Sequence, residues 1–235
     1  MATPASVLFV AAEPREFAGL LPFCGNVRRL AWAVDWARAA SLRGRPVLLV
    51  ANGSGAARAA RAVEVAQAEA PLRAVVSTGF CGALDPALQI GNVFVATTID
   101  APTGRFPALA PEAPAGYAAG VLASIGHVAQ TAQEKQRLRE AGAAAVEMEA
   151  AGVAGQARRG NLGFYCVRSV TDLAAESFAN DFNAALRADG HFDTIDLLAS
   201  TVRRPLARVP ELLRLRQRCQ TAARTLGEFI ANCRF

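Results

Sequence analysis

The apolar residues of this chain gather into short runs, at Val7–Ala11, Pro46–Ala51, Ala74–Thr78, Asn92–Thr98 and Phe164–Val170. Runs of about four to eight such residues suit strands buried on both faces. Between them lie Ala/Arg-rich segments whose apolar positions recur every three or four residues. These predict helices over Ala56–Ala70, Gln133–Ala141, Ala150–Arg159, Phe182–Ala188, Thr194–Val202 and Pro210–Ile230. The alternation is that of a sheet covered by helices. In the last helix, Leu212, Leu215, Cys219, Ala222, Leu226, Phe229 and Cys233 form one apolar stripe, and Pro210 suits its first turn. Between Asp100 and Gly120 the chain is rich in Pro, Ala and Gly and reads as a loop.

Composition narrows this picture. A chain of 235 residues can bury one large core, so a single domain over 1–235 is expected, with a basic C-terminal helix at about 203–235. No apolar run reaches the ~18 residues of a membrane span. The first residues lack the basic start of a signal peptide, and a cytoplasmic location follows as the expectation. Five widely spaced cysteines without a CxxC, and only His127 and His191, suggest reduced thiols and no metal or cofactor.

The net charge of +5 is concentrated in the tail, where eight arginines from Arg203 onward face only Glu211 and Glu228. Such a helix either meets an anionic membrane peripherally or presents a solvated face. Lys135 is the only lysine. That bias reads as a GC-rich genome rather than nucleic-acid binding.

Ligands in open α/β sheets bind beyond the carboxyl ends of strands. There the sequence places Glu13, Arg15 and Glu16, then Asn52-Gly53-Ser54-Gly55, then Gly79-Phe80-Cys81-Gly82, and finally Asp172. Gly53-Ser54-Gly55 before a helix offers backbone N–H groups to an anion or sugar hydroxyl, or is a tight turn. With Arg58 at the third glycine position it is only a partial dinucleotide fingerprint. Gly79–Ala83 resembles a nucleophile elbow with Cys81 at its tip, which would make a cysteine hydrolase. Asp85-Pro86 and a new strand pattern by Asn92 leave too little chain for the helix an elbow needs. In Val146-Glu147-Met148-Glu149-Ala150, the two carboxylates share a face only if extended, which suggests a strand-to-helix junction with one pointing into a pocket. Asp172 is either a helix cap or a catalytic acid.

Together these segments resemble the nucleoside phosphorylase and methylthioadenosine/S-adenosylhomocysteine nucleosidase superfamily. Ser77–Leu84 followed by Ile90-Gly91-Asn92-Val93 is similar to its glycine-rich stretch, Val146–Ala150 to its ribose motif, and Val167–Asp172 to the strand ending in its catalytic aspartate. Gly104–Pro107, Ala132–Lys135 and Val209–Arg214 are most similar to the hopanoid-associated phosphorylase branch. The resemblance implies a three-layer α/β/α fold around a mixed, partly barrel-like sheet, forming a homodimer or larger. It also implies cleavage of the N-glycosidic bond of an adenine nucleoside, such as an adenosylhopane-type lipid or methylthioadenosine.

In that reading Asp172 protonates purine N7 and Glu16 activates water. Glu149, with Glu147, holds the ribose, Met148 packs beneath it, and Gly79, Phe80 and Gly82 contact substrate. Phe80 stands where small or hydroxylated residues are common, and Arg15, Arg58 and Arg168 are the candidates for a phosphate. Water and phosphate both remain as nucleophile. A non-catalytic nucleoside-binding protein would use the same carboxylates only to hydrogen-bond ribose.

Overall fold

The computed structural model describes residues 5–114, 116–187, 189–191 and 205–235. Its strands are β1 (Ser6–Ala11), β2 (Cys24–Arg29), β3 (Trp36–Leu42), β4 (Arg45–Ala51), β5 (Leu72–Ala83), β6 (Val93–Ala101), β7 (Gly104–Pro107), β8 (Ala118–Ser124), β9 (Ala145–Glu147) and β10 (Gly163–Asp172). The helices are α1 (Ala56–Glu69), α2 (Ala132–Glu140), α3 (Ala150–Arg159), α4 (Phe182–Ala185) and α5 (Pro205–Ala231).

One mixed sheet runs β10-β6-β8-β9-β5-β1-β4-β3-β2, and β10 also pairs in parallel with β5. That extra pairing closes β5, β10, β6, β8 and β9 into a barrel-like ring, from which β1 to β4 continue as an open sheet. The fully buried runs of β1 and β4 follow from parallel partners and from cover on both faces. On one face, small residues of α1 and α3 (Ala59, Ala62, Ala66, Ala154, Ala157) pack on Leu8, Val10 and Val75. On the other, Leu226, Phe229 and Ile230 of α5 pack on Phe9, Val76 and Val167 with Phe17 and Leu20. The expected fold, helices flanking a mixed and partly closed sheet, is thus observed.

Several local expectations need correction. The third apolar run does not stop at Thr78, because β5 continues to Ala83 by passing from β1 to β10 and β9. The stretch Gly79–Ala83 is therefore strand, not elbow. The predicted loop over 100–120 holds β7 and the start of β8, where alanine and glycine fit the crowded ring although their β propensity is low. The last helix starts earlier than Pro210, which lies inside it rather than in its first turn. The helix expected over Thr194–Val202 lies outside the described residues.

Candidate active site

β1 delivers the chain to a 3-10 turn over Pro14–Phe17 that folds around the carboxylate of Glu16. Its Oε2 accepts the N–H groups of Ala12 (2.8 Å) and Glu13 (2.9 Å), and its Oε1 accepts that of Phe80 (2.9 Å). Burial raises the proton affinity of Glu16, while these N–H groups and the Arg168 charge oppose the shift. Gly79 makes the approach possible. Its φ is +136°, and a Cβ there would stand 2.4 Å from Glu16 Oε1 and 2.9 Å from Arg168 Nη1.

The ribose-type motif is the expected strand-to-helix junction, with β9 ending at Glu147 and α3 starting at Ala150. The two carboxylates differ in what they meet. Glu147 accepts from the N–H groups of Glu149 (2.9 Å) and Ala150 (2.8 Å), capping α3, and pairs with the fully buried Arg168. Its oxygens are already occupied. Glu149 accepts from Gly55 N–H at 3.0 Å and lies 3.7 Å from Arg168. Burial and the neighbouring Glu147 push it up to about 8, with Arg168 opposing. The Gly53-Ser54-Gly55 turn thus directs its donors inward, to Ala12 O, Gly190 O and Glu149.

Arg168 comes from β10 and also donates to Thr78 O (2.9 Å) and Ser77 Oγ (2.7 Å). The last residue of the same strand is Asp172. Its Oδ1 accepts from Thr171 Oγ1 at 3.1 Å, and its Oδ2 pairs with the ammonium of Lys135 from α2. Gly82 gives Asp172 its room, since a Cβ there would sit 2.7 Å from Oδ2.

A cavity of about 620 Å³ brings these groups together. Its walls include Glu16, Phe80, Gly82, Glu147, Met148, Glu149 and Asp172, so most of the expected site residues face one space. Gly79 is not on the wall but behind it, under Glu16 and Arg168. Arg58 is engaged by Asp35 (2.7 Å) and Asn52 O (2.5 Å) at the rim of the fold. Arg15 is largely exposed and bridges to Glu13 at 2.6 Å.

Sequence reasoning missed part of this wall. Phe178, Phe182, Leu212, Leu215 and Cys219 also line the cavity. The stripe Leu212, Leu215, Cys219 is visible in the sequence, but as packing. Glu211 of the same helix accepts from the N–H groups of Ala179 (2.7 Å) and Asn180 (2.8 Å), and Arg218 forks onto Glu176 at 2.7 and 2.8 Å. The basic tail therefore ties down the segment after Asp172. Lys135 was also missed as a site residue, although being the only lysine was its signal.

Cys81 is not placed as a nucleophile. It is buried inside β5, and burial pushes its thiol well above the usual range, away from the reactive thiolate.

The fold and this convergence of buried carboxylates on one cavity suit an α/β enzyme. The model of the Phosphorylase superfamily matches residues 37–124 and 117–194, and the chain belongs to that superfamily, as a nucleoside phosphorylase or nucleosidase. No curated protein matches the sequence.

Among solved structures, the chain is similar to the Neisseria meningitidis 5'-methylthioadenosine/S-adenosylhomocysteine nucleosidase in complex with methylthio-immucillin-A. That pair shares 19% identity over 97% of this chain and 98% of the other, with a TM-score of 0.71. It is similar to Helicobacter pylori futalosine hydrolase at 14% identity, 96% and 95% coverage and a TM-score of 0.70. A Helicobacter pylori nucleosidase variant with 5'-methylthioadenosine in its active site matches at 15% identity, 97% and 99% coverage and a TM-score of 0.69.

Proposed function

We propose that the protein hydrolyses the N-glycosidic bond of an adenine nucleoside. The observation that carries this reading is the placement of Asp172, Glu149 and Glu16 around one cavity from three different parts of the sheet. Asp172, at one end, serves the leaving base at N7. Glu149 hydrogen-bonds the ribose hydroxyls beside the carbon on which positive charge builds. Glu16 takes the proton of the attacking water.

Water is favoured over phosphate by the surroundings of Glu16. The backbone donors of Ala12, Glu13 and Phe80 that would suit a phosphate already hold a carboxylate. A phosphate there would meet a like charge, with Phe80 filling the space beside it.

The finer reading is that the nucleoside carries a large apolar 5′ group, as in an adenosylhopane-type lipid. It is supported by the apolar wall of Phe178, Phe182, Leu212 and Leu215, and by a second cavity of about 730 Å³ that shares Arg15, Phe80, Arg216 and Cys219 with the first. Leu213 is exposed on α5, where contact with an anionic lipid surface would bury it beside arginines. Among the described residues no helix is long and apolar enough to cross a membrane.

Adenine release from adenosine, methylthioadenosine and an adenosylated lipid, with and without phosphate, tests all of this, with Asp172→Asn as control. Phosphate-independent release that prefers the lipid is expected. Phosphate-dependent release would make the enzyme a phosphorylase, and release from methylthioadenosine alone would remove the lipid. No release that needs Asp172 would leave the non-catalytic binding protein.

A further inference from the structure

The chain carries 25 basic side chains, and Lys135 is the only one that is not arginine. Among the described residues, this lysine is also the one basic side chain paired with the leaving-group carboxylate. Its side chain is 1% exposed, its ammonium pairs with Asp172 Oδ2, and it donates to Leu173 O at 2.8 Å. The Phe178 ring covers it, with Nζ 5.3 Å from the centroid. The other buried cation of the site, Arg168, has different partners, Glu147, Glu149 and Ser77.

The two cations differ chemically. A guanidinium supplies charge but cannot release a proton at any working pH, whereas an ammonium can. If Asp172 needed only a counter-charge, the arginine used everywhere else in the chain would provide it. The lysine thus sets a transferable proton against the carboxylate that serves the base.

We propose that Lys135 is a positioning and proton-supplying residue, from which the proton given to the departing purine passes through Asp172. This rests on the functional reading above. As the C1′–N9 bond breaks, its electron pair goes to the base. N7 takes a proton from Asp172, and Asp172 takes one from Lys135 Nζ. Water adds to C1′ and gives its proton to Glu16. Once products leave, Lys135 regains a proton from solvent and Glu16 loses one, so the cycle closes without any co-reactant.

The test compares adenosine with 7-methyladenosine, whose N7 is already alkylated so that the base leaves neutral without a proton. Lys135→Met removes both charge and proton, and Lys135→Arg keeps the charge without a transferable proton. For both variants we expect kcat on adenosine to fall by about a hundredfold or more, within the usual range of general acid catalysis. On 7-methyladenosine the rate should stay within about threefold of wild type, because a base that needs no proton gains nothing from a general acid. Should Lys135→Met fail to fold, Lys135→Arg alone decides. Equal loss on both nucleosides would reduce Lys135 to a structural role, and a wild-type rate for Lys135→Arg on adenosine would show that only its charge matters. Either result overturns the proposal. Wild-type protein that frees base from neither nucleoside would instead sink the functional reading itself.

Discussion

The two ends of the cavity are built on different physical terms. At the Glu16–Glu149 end, three buried carboxyl groups crowd one buried arginine, and backbone N–H groups from the residues just after β1, from β5, from the start of α3 and from the turn before α1 hold them in place. At the Asp172 end, one carboxylate faces one lysine from α2, and α5 with Phe178 and Phe182 completes the wall. The first end is part of the core of the sheet and is fixed when the protein folds. The second is assembled from side chains on helices around a strand end. Substitutions of the scaffold pair Arg168 and Glu147 at the first should therefore register largely as stability, and at the second largely as rate.

The sharpest separation should come from Asp172→Asn. Loss of the group that serves the leaving base should lower kcat by about 10²–10⁴-fold, with the secondary structure retained by circular dichroism. An undiminished kcat would remove the leaving-group role from this end. Arg168→Met should do the reverse. It strands Glu147 and Glu149 in the interior, and urea titration should show a loss of about 3–5 kcal/mol. A stable Arg168→Met protein would mean that the carboxylates relax into solvent, contrary to a core-like end.

Gly82→Ala probes the rate end through geometry alone. A Cβ 2.7 Å from Asp172 Oδ2 must displace that carboxylate, and misplacement near 1 Å costs on the order of a hundredfold in kcat. Equal rates for Gly82→Ala and wild type would show that the position of Asp172 is not critical.

The titration of Glu149 gives a smaller effect. Its proton affinity is raised in the folded state, from 4.5 to about 8, so the folded protein binds more protons than the unfolded chain over that interval. This carboxyl's contribution to stability is therefore greatest below about 4.5 and declines as pH rises towards 8. Glu149→Gln should flatten that decline, read from urea midpoints across the range; an unchanged slope would assign it to other groups. Least of all, Arg218→Ala should cost at most about 1 kcal/mol, because its pair with Glu176 is partly exposed. A larger loss would show that the tail's grip on the Asp172 end matters more than its solvent-screened charge suggests.

The same contrast explains how much the sequence disclosed. The core end was legible because glycines, carboxylates and apolar runs lie next to one another in the chain: Glu16 after β1, Glu147 and Glu149 around the start of α3, and Gly79 to Gly82 within β5. What it could not show was which carboxylate is already engaged, since Glu147 and Glu149 differ only in the partners that folding brings to them. At the other end, Lys135 lies 37 residues before Asp172 and Leu212 of α5 lies 40 after it, so only the folded chain reveals their meeting. The strands β2, β3, β7 and β8 escaped notice because their alanines, glycines and arginines lack the β-branched signal of buried strands.

The central claim is that water, activated at Glu16, attacks the sugar while Asp172 serves the base. Turnover of adenosine in ¹⁸O-labelled water with phosphate present tests it most directly, by mass analysis of the released sugar. Free ribose carrying ¹⁸O at C1′ should form at a rate that phosphate does not change. Unlabelled ribose 1-phosphate as the product would contradict it, and would mean that the donors around Glu16 accommodate phosphate after all.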